Sequence, residues 1–301
     1  MSLIFDIKRY CINDGPGIRV TIFMKGCPLH CVWCHNPEGI ANHKEKLYTK
    51  KCIGCQSCVE VCPQHALKLT RDGIVTDKSL CVLCGKCVEE CTTLAMEMSG
   101  TEYSLDYLTE QMRKEIPVID GSGGGVTFCG GEPLMHPEML LALLDRAAGL
   151  GLHRAVDTTL FARPELVKQV MSNCELFLVD LKLMDSEKHR FYCKVPNELI
   201  LSNIRMVSEA GHPFFIRIPL IEGVNADEEN ITKSADFLAS LPNPPEVINL
   251  LPYHDIGKNK HEKLGTVYNP DNIPMSAPSE EWQRHCLDIF KDRGLNAEIG
   301  G

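Results

Sequence analysis

Three cysteines open the chemistry of this chain. Cys27, Cys31 and Cys34 lie in the stretch GCPLHCVWCHNPEG, residues 26–39, separated by three residues and then two. Three thiolates in one loop can hold three irons of a cubane cluster and leave the fourth iron without a protein ligand. Such an open iron can chelate the amino and carboxylate groups of a small molecule. A structural zinc site is the competing reading, but it needs a fourth ligand. His30 or His35 could be proposed for that place, so the spacing alone leaves both readings open.

Eight more cysteines come as an internal repeat. KCIGCQSCVEVCPQHALKL begins at Lys51, and LCVLCGKCVEECTTLAMEM begins at Leu80, an offset of 29 residues. Cys52, Cys55, Cys58 and Cys62, followed by Pro63, have the spacing of a two-cluster ferredoxin run. Cys81, Cys84, Cys87 and Cys91 repeat it, with Thr92 in the proline position. In such runs the fourth cysteine serves the other cluster. One 4Fe–4S cluster is therefore expected on Cys52, Cys55, Cys58 and Cys91. The second is expected on Cys62, Cys81, Cys84 and Cys87. Zinc is the alternative for all eight, and the repeated run argues against it.

A third feature is GSGGGVTFCGGEP, residues 121–133. It is not a phosphate loop, because no Lys-Ser or Lys-Thr follows, and its glycines do not match a dinucleotide fingerprint. Gly130 and Gly131 are expected at a strand end, where glycine lets the backbone approach a ligand closely. Glu132 could accept hydrogen bonds from an ammonium group. Taken alone, the segment also reads as a plain strand-to-helix turn.

The surrounding chain must position these groups. It has 301 residues, 44% of them hydrophobic, enough for a sizeable core. A net charge of −9 makes nucleic acid and anionic membranes poor partners. No apolar stretch is long enough to span a bilayer. Asp6, Lys8 and Arg9 interrupt any secretion signal. Sixteen cysteines without such a signal favour metal over disulfides, and the location is expected to be cytoplasmic.

The segments 126–129, 154–157, 176–180, 214–218 and 247–251 read as short buried strands. Helical spacing predicts helices at 137–149, 164–171, 197–209 and 227–239. Alternating units of this kind imply an α/β fold with a parallel sheet and right-handed crossovers. Periodicity leaves a doubly wound sheet and a partial barrel equally open. The repeat bounds a module at about 48–98, inserted between segments 1–47 and 99–301.

Several motifs in order resemble the glycyl-radical-enzyme activating enzymes of the radical S-adenosylmethionine superfamily. They are DGPGIR at 14–19, the cysteine triplet, GGEP at 130–133, DTT at 157–159, DLK at 180–182, LLPYHDIGKNK at 250–260 and IGG at 299–301. The resemblance runs from Ile4 to the end of the chain. It implies a partial (β/α)₆ barrel with a ferredoxin-like insert, three 4Fe–4S clusters and S-adenosylmethionine. By the same resemblance, Cys27, Cys31 and Cys34 would hold the catalytic cluster, and Trp33 and His35 would line the adenine pocket. Gly130, Gly131 and Glu132 would bind the methionine amino group. Asp157, Lys182 and His254 would contact the methionine moiety. Asp157, Thr158 and Asp180 would help bind a monovalent cation. Asp14 and Arg217 would face the glycine loop of a partner glycyl radical enzyme. Flavodoxin or ferredoxin would supply electrons.

The residues also admit other roles. Asp157 and Asp180 could cap helices, Lys182 could be a solvated charge, and His254 a turn residue. Cys129 stands where Ser is common, Thr159-Leu160 where many members have a nearby Gly, and Cys193-Lys194 where Thr-Gly is usual. A radical enzyme acting on another protein or a small molecule is an alternative function. A ferredoxin-type electron carrier is an alternative of another class.

Overall fold

The structure is a computed structural model and describes residues 3–301. The chain enters as β1 (Leu3–Cys11) and turns through the DGPGIR segment into the antiparallel β2 (Arg19–Met24). Every residue of β2 is buried, because covering layers leave a central strand no solvent face. After β2 come the cysteine loop and an excursion built from β3 (Glu45–Tyr48), α1 (Ser57–Glu60), β4 (Leu67–Thr70), β5 (Gly73–Thr76), α2 (Lys86–Glu89) and β6 (Met96–Ser99).

The short β7 (Thr101–Glu102) pairs with β1 and leads into α3 (Leu105–Ile119). Next follow β8 (Gly125–Gly130), α4 (Pro137–Gly149), β9 (His153–Thr158), α5 (Pro164–Met171) and β10 (Leu176–Asp180). Helices α6 (Ser186–Cys193) and α7 (Glu198–Glu209) return the chain to β11 (Phe214–Leu220). The final elements are α8 (Glu228–Ala239), β12 (Val247–Pro252), α9 (Gly257–Leu264), α10 (Glu280–Lys291) and β13 (Ala297–Ile299).

The five predicted strands are present, each within two residues of its expected ends, and α4 and α5 have the predicted bounds. Helix α8 starts one residue after the expected position because Asp227 is its cap, its side chain accepting from Asn230 N–H. The main sheet has nine strands in the order β13-β12-β11-β10-β9-β8-β2-β1-β7. From β2 to β13 every neighbouring pair is parallel, and the order never doubles back. A doubly wound sheet reverses at a switch point; this one does not. Six β/α units wound in one direction are consistent with a partial barrel, open between β13 and β7.

The excursion has a small core of its own: Cys58, Leu67, Ile74, Cys87 and Met96. Each repeat folds as expected from sequence, a cysteine loop, one helical turn and a strand. The excursion is closed by the β3–β6 ladder, which starts at Glu45↔Ser99, just outside the expected 48–98 bounds. Lys25, at the exit of β2, fastens this ladder. Its fully buried ammonium donates to Glu45 Oε2 at 2.9 Å, to the Glu38 carbonyl and to Ser99 Oγ at 3.4 Å. From α9, Lys260 reaches the same loop, bonding Asn36 Oδ1 at 2.8 Å and Glu38 Oε2 at 3.4 Å.

Candidate active site

The carboxyl ends of the parallel strands converge on one cavity of about 460 Å³. That is within the usual range for small-molecule sites. The cysteine loop forms one wall, with Cys27, Cys31, Trp33, Cys34 and His35. The ends of β8, β9, β10 and β11 bring Gly130 and Gly131, Asp157 and Thr158, Asp180 and Lys182, and Arg217. The segment after β12 adds Tyr253 and His254.

Backbone contacts fix the loop. The Gly131 and Glu132 amides donate to the carbonyls of Met24 and Gly26, at 2.8 and 2.7 Å. His30 and Val32 amides donate to the carbonyls of Cys193 and Tyr192, at 3.0 and 3.1 Å. These contacts explain the glycine pair. Gly130 has φ +123, and a Cβ there would lie 2.3 Å from the Met24 carbonyl. A Cβ on Gly131 would lie 2.2 Å from the Gly26 carbonyl. The glycines are therefore needed for the approach of the protein's own backbone, while their main chain still lines the cavity.

Glu132 is fully buried and is not among the cavity-lining residues. Its carboxylate accepts from Thr158 Oγ1 at 2.6 Å, from Thr159 N–H at 2.8 Å and Oγ1 at 2.6 Å, and from Leu134 N–H at 3.1 Å. Burial raises its pKa, and these bonds pull the other way. In this geometry Glu132 holds the Thr158-Thr159 turn from behind.

Charges around the cavity are paired. Lys182 Nζ donates to Asp180 Oδ2 at 2.7 Å. Burial pulls Lys182 down, but Asp180 together with Cys31 and Cys193 raises its pKa overall; burial pushes Asp180 up, but Lys182 together with Arg217 lowers it overall. Arg217 Nη1 donates to Asp157 Oδ2 at 2.8 Å, and Cys129 Sγ donates to the same oxygen at 3.0 Å. Asp157 raises Arg217, whereas burial raises Asp157 against the pull of Arg217. Arg217 and Lys182 thus place positive charge against Asp157 and Asp180, two of the residues expected to help bind a monovalent cation. Asp14 does not line the cavity; Thr21 Oγ1 donates to its Oδ2 at 2.6 Å.

His35 stacks on His254, with ring centroids 4.1 Å apart and planes 16° apart. Burial first, and the neighbouring His254 second, hold its pKa down at about 4. A planar pair of this kind suits a flat aromatic ligand. Trp33 is 5% exposed and packs with Leu29, Leu183 and Ile221.

The cysteine wall fits a cluster. Burial raises the Cys27 and Cys34 thiols, Cys34 to about 12, so thiolates at those two positions need a bound cation to stabilise them, whereas a hydrogen bond with Cys193 lowers Cys31. Among the described residues, no three His, Cys, Asp or Glu side chains are disposed around a single metal ion. A cubane spaces its thiolates more widely, since each bonds a different iron. The eight cysteines of the internal repeat line two separate small cavities. Cys52, Cys55, Cys58 and Cys91 share one, and Cys62, Cys81, Cys84 and Cys87 share the other.

Sequence reasoning passed over three residues that brace this site. Asn225, fully buried, donates to the carbonyls of Lys182 at 2.9 Å and Pro219 at 2.6 Å, and accepts from Ile221 N–H. Asn203 donates to the Leu160 and Ala162 carbonyls, both at 2.8 Å. Thr159 clasps Glu132. A buried Asn can be suspected in an apolar helical stripe, as at Asn203, but its partners lie over forty positions away.

The family model of the radical SAM superfamily matches residues 21–235. The chain belongs to the radical SAM superfamily. The trans-4-hydroxy-L-proline dehydratase activating enzyme of Clostridioides difficile is 40% identical, over 99% of each chain. The choline trimethylamine-lyase activating enzyme of Oleidesulfovibrio alaskensis is 38% identical, over 93% of this chain and 92% of that one. Among solved structures, a domain of a pyruvate-formate lyase-activating enzyme from Bacteroides vulgatus is 60% identical, with a TM-score of 0.52. It covers 60% of this chain and 100% of that one. Within the radical SAM superfamily, the chain belongs with the glycyl-radical-enzyme activating enzymes, as its motifs imply.

Proposed function

We infer that this radical SAM protein activates a glycyl radical enzyme by reductive cleavage of S-adenosylmethionine, and that its excursion carries two further 4Fe–4S clusters. The observation that carries the reading is the convergence, in one cavity, of the three loop thiols with the strand-end groups Gly130, Asp157, Asp180 and Lys182. Cys27, Cys31 and Cys34 would hold a 4Fe–4S cluster, which would supply the electron for reductive cleavage of S-adenosylmethionine and, through it, removal of a hydrogen atom from glycine.

The chain's own residues orient and shield that chemistry. The Gly130-Gly131 backbone and the Lys182–Asp180 pair present donors and acceptors to the methionine end. The stacked His35 and His254, with Trp33, receive the adenine end. Arg217, held by Asp157, faces the cavity from β11 and is suited to a peptide carbonyl of the incoming glycine loop. Two cavities, each lined by the four cysteines expected to share a cluster, support the two-cluster reading. Flavodoxin or ferredoxin fits as donor, because each cavity has one exposed cysteine, Cys55 or Cys84. Among the described residues no helix is long and apolar enough to cross a membrane.

The test is anaerobic reconstitution, reduction and incubation with S-adenosylmethionine and a candidate partner. 5′-Deoxyadenosine should form, together with a glycyl-radical doublet in the electron paramagnetic resonance spectrum of the partner. No cleavage would leave an electron carrier. Cleavage with turnover of a small molecule and no doublet on any partner would leave a different radical enzyme.

A further inference from the structure

The two cysteine cavities have the same ligand spacing, yet the strand that runs past them treats them differently. Side chains alternate along a strand. In β3, Glu45 turns toward Lys25, while Lys46 and Tyr48 share the opposite face and meet the excursion. Lys46, paired across the ladder with Met98, lines the cavity of Cys62, Cys81, Cys84 and Cys87. Tyr48, paired with Met96, lines the cavity of Cys52, Cys55, Cys58 and Cys91. The Tyr48 hydroxyl accepts from Ile74 N–H at 3.0 Å and is satisfied. Lys46 Nζ is not. It is buried, and it has no hydrogen-bond partner among the described residues. It is also the sole charged side chain among those lining its cavity.

A buried ammonium without a counter-charge is strongly unfavourable. The group that would compensate it is the negative charge of a four-thiolate cluster in the same cavity. We propose that Lys46 is the electrostatic partner of the cluster on Cys62, Cys81, Cys84 and Cys87 and sets it at a higher reduction potential than its twin. The inference rests on the two-cluster reading. Its physics is simple. Uptake of one electron from a low-potential donor adds one negative charge to the cluster and moves no atom or proton. A fixed positive charge at short range in a low-dielectric cavity stabilises the reduced form more than the oxidised form. Tyr48 offers the other cluster only a neutral hydroxyl beside Cys52, a dipole in place of a full charge.

The experiment is a redox titration of the reconstituted full-length protein, followed by electron paramagnetic resonance, for wild type, Lys46→Met and Lys46→Arg. In Lys46→Met one midpoint should fall by about 59 mV or more, a tenfold change in a one-electron equilibrium. The others should stay in place, and Lys46→Arg, which keeps the charge, should titrate like wild type. Should Lys46→Met lose that cluster's iron while Lys46→Arg retains it at the wild-type potential, the charge role stands. Unmoved midpoints in Lys46→Met, an equal shift in Lys46→Arg, or loss of the cluster in both variants overturns it. Iron and acid-labile sulfide in wild type that account for the catalytic cluster alone would instead overturn the two-cluster reading beneath it.

Discussion

Glu132 shows how residue type and residue role separate. Its identity within Gly-Gly-Glu-Pro was legible in the sequence, and so was its place at a strand end. Its direction was not, because the four donors that capture its carboxylate come from the next strand's turn and its own. Replacing it tests the role read from the structure. Glu132→Gln puts an NH₂ group against a ring of donors and removes charge-assisted bonds. We expect a loss of about 2 kcal/mol in stability and weaker S-adenosylmethionine binding as Thr158-Thr159 shifts. Calorimetric melting and a binding titration measure the two effects. Unchanged melting with lost binding would mean that the carboxylate touches the ligand directly. The cysteine triplet was the opposite case. Its spacing already stated which groups act together, since three ligands in one loop need no knowledge of distant packing.

At the scale of elements, β8, β10 and β12 of the parallel sheet were legible because apolar residues dominate them and most of their length is buried, while β9 and β11 show through despite Arg154, Asp157 and Arg217. α3, α9, α10, β1 and β13 were not drawn from the sequence. β1 carries Asp6, Lys8 and Arg9, which interrupt the apolar signal, and Lys8, Arg9 and Tyr10 are exposed. The β3–β6 ladder escaped for a related reason: four residues on each side are too few to show a period. Its anchor is the Lys25–Glu45 pair, with the ammonium fully buried and the carboxylate 21% exposed. Glu45→Ala leaves that ammonium without its carboxylate and should cost about 3 kcal/mol. Adding Lys25→Met should recover much of the loss, since removing both charges spares the desolvation. Denaturant unfolding of the single and double variants checks this, and a Glu45→Ala protein as stable as wild type would refute it.

For the whole molecule, the chain's order of motifs was the strongest signal, because from the cysteine triplet to the closing IGG each motif falls at the carboxyl end of a strand, while DGPGIR leads into the amino end of β2. Which sheet those strands form was settled only by the unreversed strand order. The excursion's purpose is tested at this scale. If its clusters relay electrons, Cys55→Ala and Cys84→Ala variants should still generate the glycyl radical with a strong chemical reductant. With a protein donor the rate should fall at least tenfold. Equal rates with both reductants would refute the relay.

The anchorage of the excursion also bears on traffic. A swinging carrier arm needs a pivot, and here the place for one holds a strand ladder, a buried ion pair and the Lys260 contacts from α9. Electrons passing through such a module would travel between stationary posts. The gap they must jump would be fixed when the chain folds, and the search for a meeting would fall to the donor.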